Sequence, residues 1–210
     1  GIVPPGDLRM ALAALCGDDT WGSTWARVLQ HRFASQGELD GHSLGNLLIT
    51  ALWEETNDLV EGLDWVARLL DAKGKVLPLC IEPLEIVATV KSRTGEVLEI
   101  SGQVQVATTP HEIQAIRLIP EKPKVCEQAV AAVLNADAVV LGPGSWYTSV
   151  LPHFQVAQMA KALHETTATK ILAINLRPQT GETDGYSAAR YLDVLANSYP
   201  DFRVDVVLAD

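Results

Sequence analysis

The 210-residue sequence predicts an α/β protein whose parallel sheet is covered by helices on both faces and carries a β-rich insertion. Two textures support that reading. From Lys124 onward, apolar runs at 138–141, 171–175 and 204–208 alternate with helical runs at 126–134, 155–166 and 188–197. Uniformly apolar strands separated by helices belong to a parallel sheet buried on both sides. Between 74 and 120 the texture differs, with short β-branched runs broken by turns.

The elements follow in order. Asp7 is positioned to cap a helix over 8–16, in which Leu8, Leu12 and Leu15 recur at helical spacing. Gly17-Asp18-Asp19 breaks that run, and Trp21, Trp25, Val28 and Leu29 form a second stripe ending near Phe33. A polar loop over 35–41 precedes helices over 44–53 and 60–70, the latter with Leu63, Val66, Leu69 and Leu70 on one face. In the middle third, strands are expected over 75–79, 84–90, 97–100, 104–107 and 113–119, with a turn at Arg93-Thr94-Gly95-Glu96. The whole chain, 1–210, reads as one domain with 74–120 inserted in it.

Composition limits the function classes. Residues are 48% hydrophobic and 20% charged, a globular balance rather than a disordered or disulfide-scaffold one. With 16 basic and 26 acidic side chains the net charge is −10, which repels phosphodiester backbones and anionic lipid. Nucleic acid and membrane are therefore not expected partners. A small phosphorylated ligand fits, because a helix N-terminus and one arginine hold an anion locally. Cys16, Cys80 and Cys126 lie far apart and read as reduced thiols in a cytoplasmic setting. No apolar run approaches the ~20 residues of a membrane span. Five tryptophans suit core packing at least as well as the interface of a homo-oligomer.

In an open parallel sheet, ligands bind beyond the carboxyl ends of the strands. Two loops sit there. Gly142-Pro143-Gly144-Ser145-Trp146-Tyr147-Thr148-Ser149 follows the first apolar strand, with glycines that admit a close ligand and three hydroxyls, Ser145, Thr148 and Ser149, suited to an anionic oxygen. A tight strand–helix turn with N-caps is the plainer account of the same residues. Neither the spacing nor a following lysine matches a triphosphate-binding loop. The second loop follows Ile174-Asn175. There Asn175 and Gln179 suit polar edges, Tyr186 suits a planar ring or sugar, and Thr183 or Asp184 suits a helix cap. Two further clusters are Pro5-Gly6-Asp7-Leu8-Arg9, read as a salt-bridged cap or a phosphate grip, and Gly41-His42-Ser43-Leu44-Gly45-Asn46. His42 reads as a hydrogen-bonded structural residue, and histidine-based metal catalysis has no support in the motifs.

Taken in order, Pro4-Pro5-Gly6-Asp7-Leu8-Arg9, Gly41-His42-Ser43-Leu44-Gly45-Asn46, the Gly142–Ser149 octapeptide and Gly181-Glu182-Thr183-Asp184-Gly185-Tyr186 resemble the bacterial gluconeogenesis factor family (YvcK-like). That family is related to 2-phospho-L-lactate transferase (CofD). The resemblance implies a Rossmann-like, three-layer fold. It also implies a first strand and a glycine-rich loop upstream of Pro4 and a continuation past Asp210, neither in this sequence; without them the ligand site is incomplete. Two functions are implied. One is a non-enzymatic binder of UDP-sugars such as UDP-N-acetylglucosamine, acting in cell shape and gluconeogenic carbon metabolism. The other is a transferase moving a phospholactyl-type group from a GDP-activated donor to a deazaflavin, with Mg2+ required only there. Gly144-Ser145-Trp146-Tyr147 favours the first branch, since the transferases carry Ser-Asn-Pro in that loop. Met10 and Thr180 depart from the family's usual asparagine and proline. Carried over by motif, Gly142, Gly144, Ser145, Thr148 and Ser149 would contact a diphosphate. Asn46 and Asn175 would line the crevice, Tyr186 would meet the nucleotide sugar, and Asp7 and Arg9 would lie near the glycine-rich loop. No catalytic or metal-binding residue is assigned.

Overall fold

The computed structural model describes residues 5–92, 94–179 and 182–209. Pro4 of the first motif, the turn residue Arg93, and Thr180 and Gly181 of the second loop lie outside them. The chain forms two compact units, Gly1–Ile81 and Glu82–Asp210.

The first unit is helical: α1 (Gly6–Ala14), α2 (Thr20–Gln30), α3 (Leu44–Thr56) and α4 (Leu59–Leu70). Leu12, Leu29, Ile49, Leu63, Val66 and Leu70 form its core, one or more from each helix, and Val76 joins them from the segment after α4. That burial explains why 75–79 makes no ladder: Val76 packs on helices rather than on a neighbouring strand. Leu69, expected on the buried face, is exposed. The cap of α1 is Pro5, not Asp7, because the Pro5 carbonyl accepts the Arg9 N–H at 2.9 Å and starts the helix at Gly6. Asp7 sits in the first turn instead, where the helix dipole favours a carboxylate. Asp19 and Asp58 cap α2 and α4 through side-chain oxygens.

The second unit combines two sheets. Strands β1 (Glu85–Lys91), β2 (Val97–Ser101) and β3 (Glu112–Ile119) pair antiparallel in the order β2-β1-β3. Between β2 and β3, the segment expected to be a strand is helix α5 (Gln103–Ala107). Gly102, at φ +98°, turns the chain out of β2 and donates its N–H to Ile86 O, so the next residues coil and bury Val106 while Val104 faces out. Alternating valines mimic a strand, but the turn decides.

The remainder is the parallel α/β part: α6 (Glu127–Leu134), β4 (Ala138–Leu141), a π-helical turn (Trp146–Val150), α7 (Pro152–Gln155), α8 (Ala157–Glu165), β5 (Thr169–Ala173), α9 (Ala188–Ser198) and β6 (Val206–Leu208). The strands run parallel in the order β4-β5-β6, with Leu141 opposite Leu172 and Ala173 opposite Leu208. The fold is thus α/β with a parallel sheet and helical crossovers, as the sequence indicates. Neighbouring strands β4 and β5 end side by side, and the two candidate loops leave from those ends.

Candidate functional site

The first loop leaves β4 at Gly142, whose φ is +80° and whose Cβ, were there one, would lie 2.6 Å from Ala173 O. Only glycine allows β4 to turn this close to β5. Asn175, two residues beyond β5, clamps the loop from the other side. Its Oδ1 accepts the Gly144 N–H and its Nδ2 donates to Gly144 O, both at 2.8 Å. The asparagine expected to line a crevice therefore directs its amide at the glycine loop.

The centre of the arrangement is Glu182, which is 5% exposed. Ser145 Oγ donates to its Oε1 at 2.5 Å, and the Trp146 N–H donates to its Oε2 at 3.0 Å. With its amide turned to donate, Gln179 reaches both Gly144 O and Glu182 Oε2. Burial pushes the Glu182 carboxyl up, opposed by the Ser145 hydroxyl and the backbone N–H groups of Tyr147 and Trp146. Ser145 also caps the π-helical turn, accepting the Thr148 N–H at 3.1 Å and pairing with the Thr148 hydroxyl. Donors expected to meet a ligand's oxygen are thus met by a carboxylate of the protein. Thr183, fully buried, closes a turn with Gln179, and the cap of α9 is Ser187 rather than Thr183 or Asp184.

Two tyrosines join the loops. Tyr147 and Tyr186 meet hydroxyl to hydroxyl at 2.8 Å. Tyr186 packs edge-on against Tyr191, which packs edge-on against Trp146, and the Arg190 guanidinium lies 5.7 Å from the Tyr186 ring centre. Ser149 lies half-buried in the π-helical turn. Glu182, Tyr147 and Arg190 were not singled out from sequence. Glu182 lies inside a recognised motif, but nothing local marks a loop carboxylate as the partner of a serine 37 positions earlier.

In the helical unit the structure unites Arg9 with Asn46. Arg9 is 6% exposed. Its Nε donates to Asn46 Oδ1 at 3.0 Å, and one terminal nitrogen donates to Gln30 Oε1 at 2.6 Å. Gly45 makes room for this, since a Cβ there would fall 2.8 Å from Arg9 Cγ and 2.6 Å from Leu29 O. Among the described residues Arg9 forms no ion pair, so the salt-bridged cap read from sequence is replaced by a tie of α1 to α2 and α3 through two amides. Arg9→Met keeps the stem but removes the donor of the half-buried Asn46 amide oxygen and the tie to the exposed Gln30. It is expected to lower the unfolding free energy by about 2 kcal/mol in a urea titration. His42 is exposed, with Nδ1 3.3 Å from Asp40 O.

Among the described residues no three His, Cys, Asp or Glu side chains gather as a metal site, and no helix is long and apolar enough to cross a membrane. Cys16 is half-buried, and Cys80 and Cys126 are buried.

Comparison with known proteins gives a consistent result. The family described as 2-phospho-L-lactate transferase CofD matches residues 1–210. A Mycobacterium tuberculosis protein named "Putative gluconeogenesis factor" is 48% identical over 212 residues, covering all of this chain and 62% of the relative. The gluconeogenesis factor of Halalkalibacterium halodurans is 34% identical, over 99% of this chain and 62% of its own length. A crystal structure of a UPF0052 family protein from Bacillus halodurans superposes with a TM-score of 0.88 at 34% identity, over 99% of this chain and 64% of that one. The chain therefore spans a little over three-fifths of the length of these relatives.

Proposed function

Since the chain belongs to the CofD family, with relatives named as gluconeogenesis factors, we propose that it is a nucleotide-sugar-binding regulator rather than a transferase. Its ligand is a UDP-sugar of the UDP-N-acetylglucosamine type, and its role lies in cell-wall and gluconeogenic carbon metabolism in the cytoplasm. The observation that carries the reading is the pair of loops at the ends of β4 and β5, braced by Asn175 and Glu182 and joined by Tyr147 and Tyr186. Such a rigid, polar surface at the carboxyl end of a parallel sheet suits binding with little ordering cost. Glu182 competes for Ser145 and the Trp146 amide, so Thr148 and Ser149 become the loop hydroxyls assigned to the diphosphate.

A thermal-shift titration of the full-length protein tests this. UDP-N-acetylglucosamine at ten times its dissociation constant is expected to add about 1.4 kcal/mol of stability. Tyr186→Ala is expected to remove most of that gain. Stabilisation by GDP with magnesium in place of the UDP-sugar would overturn the proposal. So would conversion of a deazaflavin alcohol, which would favour the transferase chemistry named in the family description.

A further inference from the structure

Within the second unit, β3, the π-helical turn and α9 enclose a cleft of about 280 Å3 that the loop motifs do not account for. Its floor and walls include Glu112, Gln114, Tyr147, Tyr186, Arg190 and Asn197. Drug-sized ligands fill pockets of roughly 300–1,000 Å3. This cleft therefore has room for one ring, not for a whole nucleotide sugar.

The lining chemistry narrows the occupant further. Glu112 and Arg190 supply one charge of each sign, and among the described residues they form no ion pair with each other. A phosphate would gain Arg190 but face Glu112, and an amine the reverse. The other polar groups are amides and hydroxyls, which donate and accept. The tyrosine pair adds a directed donor: one hydroxyl donates to the other across 2.8 Å, leaving one O–H for an occupant. Burial and the Tyr186 contact push the Tyr147 hydroxyl far above its ordinary range, so it stays a neutral donor and acceptor. Tyr147 belongs to the first loop and Tyr186 to the second, so the cleft is continuous with the braced loops.

We infer that this cleft seats a single neutral, hydroxyl-rich ring, the sugar end of a ligand whose phosphates face the loops. Tyr147, Tyr186, Gln114 and Asn197 select it by hydrogen bonds. The inference rests on the nucleotide-sugar reading above, and the experiment separates the two.

Calorimetry on the full-length protein compares UDP with UDP-N-acetylglucosamine, and saturation-transfer NMR follows free N-acetylglucosamine. Each is repeated with Val194→Trp, which fills the cleft from α9, and with Asn197→Trp at an exposed position in case the first variant does not fold. The wild-type protein is expected to prefer the UDP-sugar to UDP by at least about tenfold. The variants bring that ratio close to one and remove the saturation transfer. A ratio that survives in a folded variant, or equal binding of UDP and UDP-sugar by the wild type, overturns the cleft and leaves the nucleotide reading standing. Failure of both UDP and UDP-N-acetylglucosamine to bind, with saturation transfer that the variants abolish, upholds the cleft and overturns the nucleotide reading. No binding of any probe overturns both.

Discussion

Replacing Glu182 by alanine is expected to lower the unfolding free energy by about 3 kcal/mol, because a buried backbone N–H and a half-buried hydroxyl lose their acceptor at once. The Ser145 hydroxyl and the Trp146 N–H both end on this carboxylate, and each stranded donor costs roughly 1–3 kcal/mol. Glu182→Gln should cost less, since its amide oxygen can take the Trp146 N–H while its NH2 donates to Ser145 Oγ. The two variants therefore separate shape from charge. The charge has its own signature. Burial raises the Glu182 carboxyl above its unfolded value, so ionisation opposes folding. Its contribution is complete below the unfolded pKa and is lost as pH rises through the folded one. The stability of wild type minus that of Glu182→Gln should fall as pH rises above the ordinary carboxylate range. Urea titrations across that rise measure it. A difference that grows with pH would mean that the donors outweigh burial.

Gly22→Ala carries a comparable penalty for a different reason. Gly22 lies in the first turn of α2, where its N–H is capped by Asp19 Oδ1 at 2.7 Å. A Cβ there would meet the backbone of Gly17, with the Gly17 nitrogen at 2.5 Å and its carbonyl carbon at 2.6 Å. No side chain can swing aside, because every obstructing atom is main chain. Relief requires moving the 17–19 turn that supplies the cap. An overpacking cost of about 3 kcal/mol, at the upper end of the usual range, is expected. For a chain of this size that corresponds to a fall in Tm of roughly 6–12 °C. Calorimetry checks it, and a shift of a degree or less would show that the turn yields freely. Gly37, whose Cβ would meet nothing within 4 Å, is the control.

The contrast between these glycines is invisible in the sequence. Each is a single letter in the sequence, and the approach of Gly17 to Gly22 is what distinguishes them. Helix and strand periodicities fared better. The apolar runs at 138–141 and 204–208 and the stripe at 188–197 coincide with β4, β6 and α9; α9 buries Tyr191 and Leu195, whereas β6 stays exposed along its length although its sequence is apolar. The segment at 104–107 misled because two valines alternate equally well in a strand and across one helical turn.

For the candidate site, motif order singled out two loops that the structure places at the ends of β4 and β5, and the family comparison agrees with the resemblance. The sequence by itself determined the α/β class, the parallel strands and the location of the glycine loop, since each depends on residues near one another in the chain. Only the tertiary structure decided what those loop residues touch. Asn175 turned to Gly144 across 31 positions, Ser145 to Glu182 across 37 and Tyr147 to Tyr186 across 39. Arg9 found Asn46 across 37. Hydrogen-bond partners of buried polar groups are chosen by whichever donor or acceptor packing brings within about 3 Å. That choice belongs to the assembled strands and helices, not to any local run of residues.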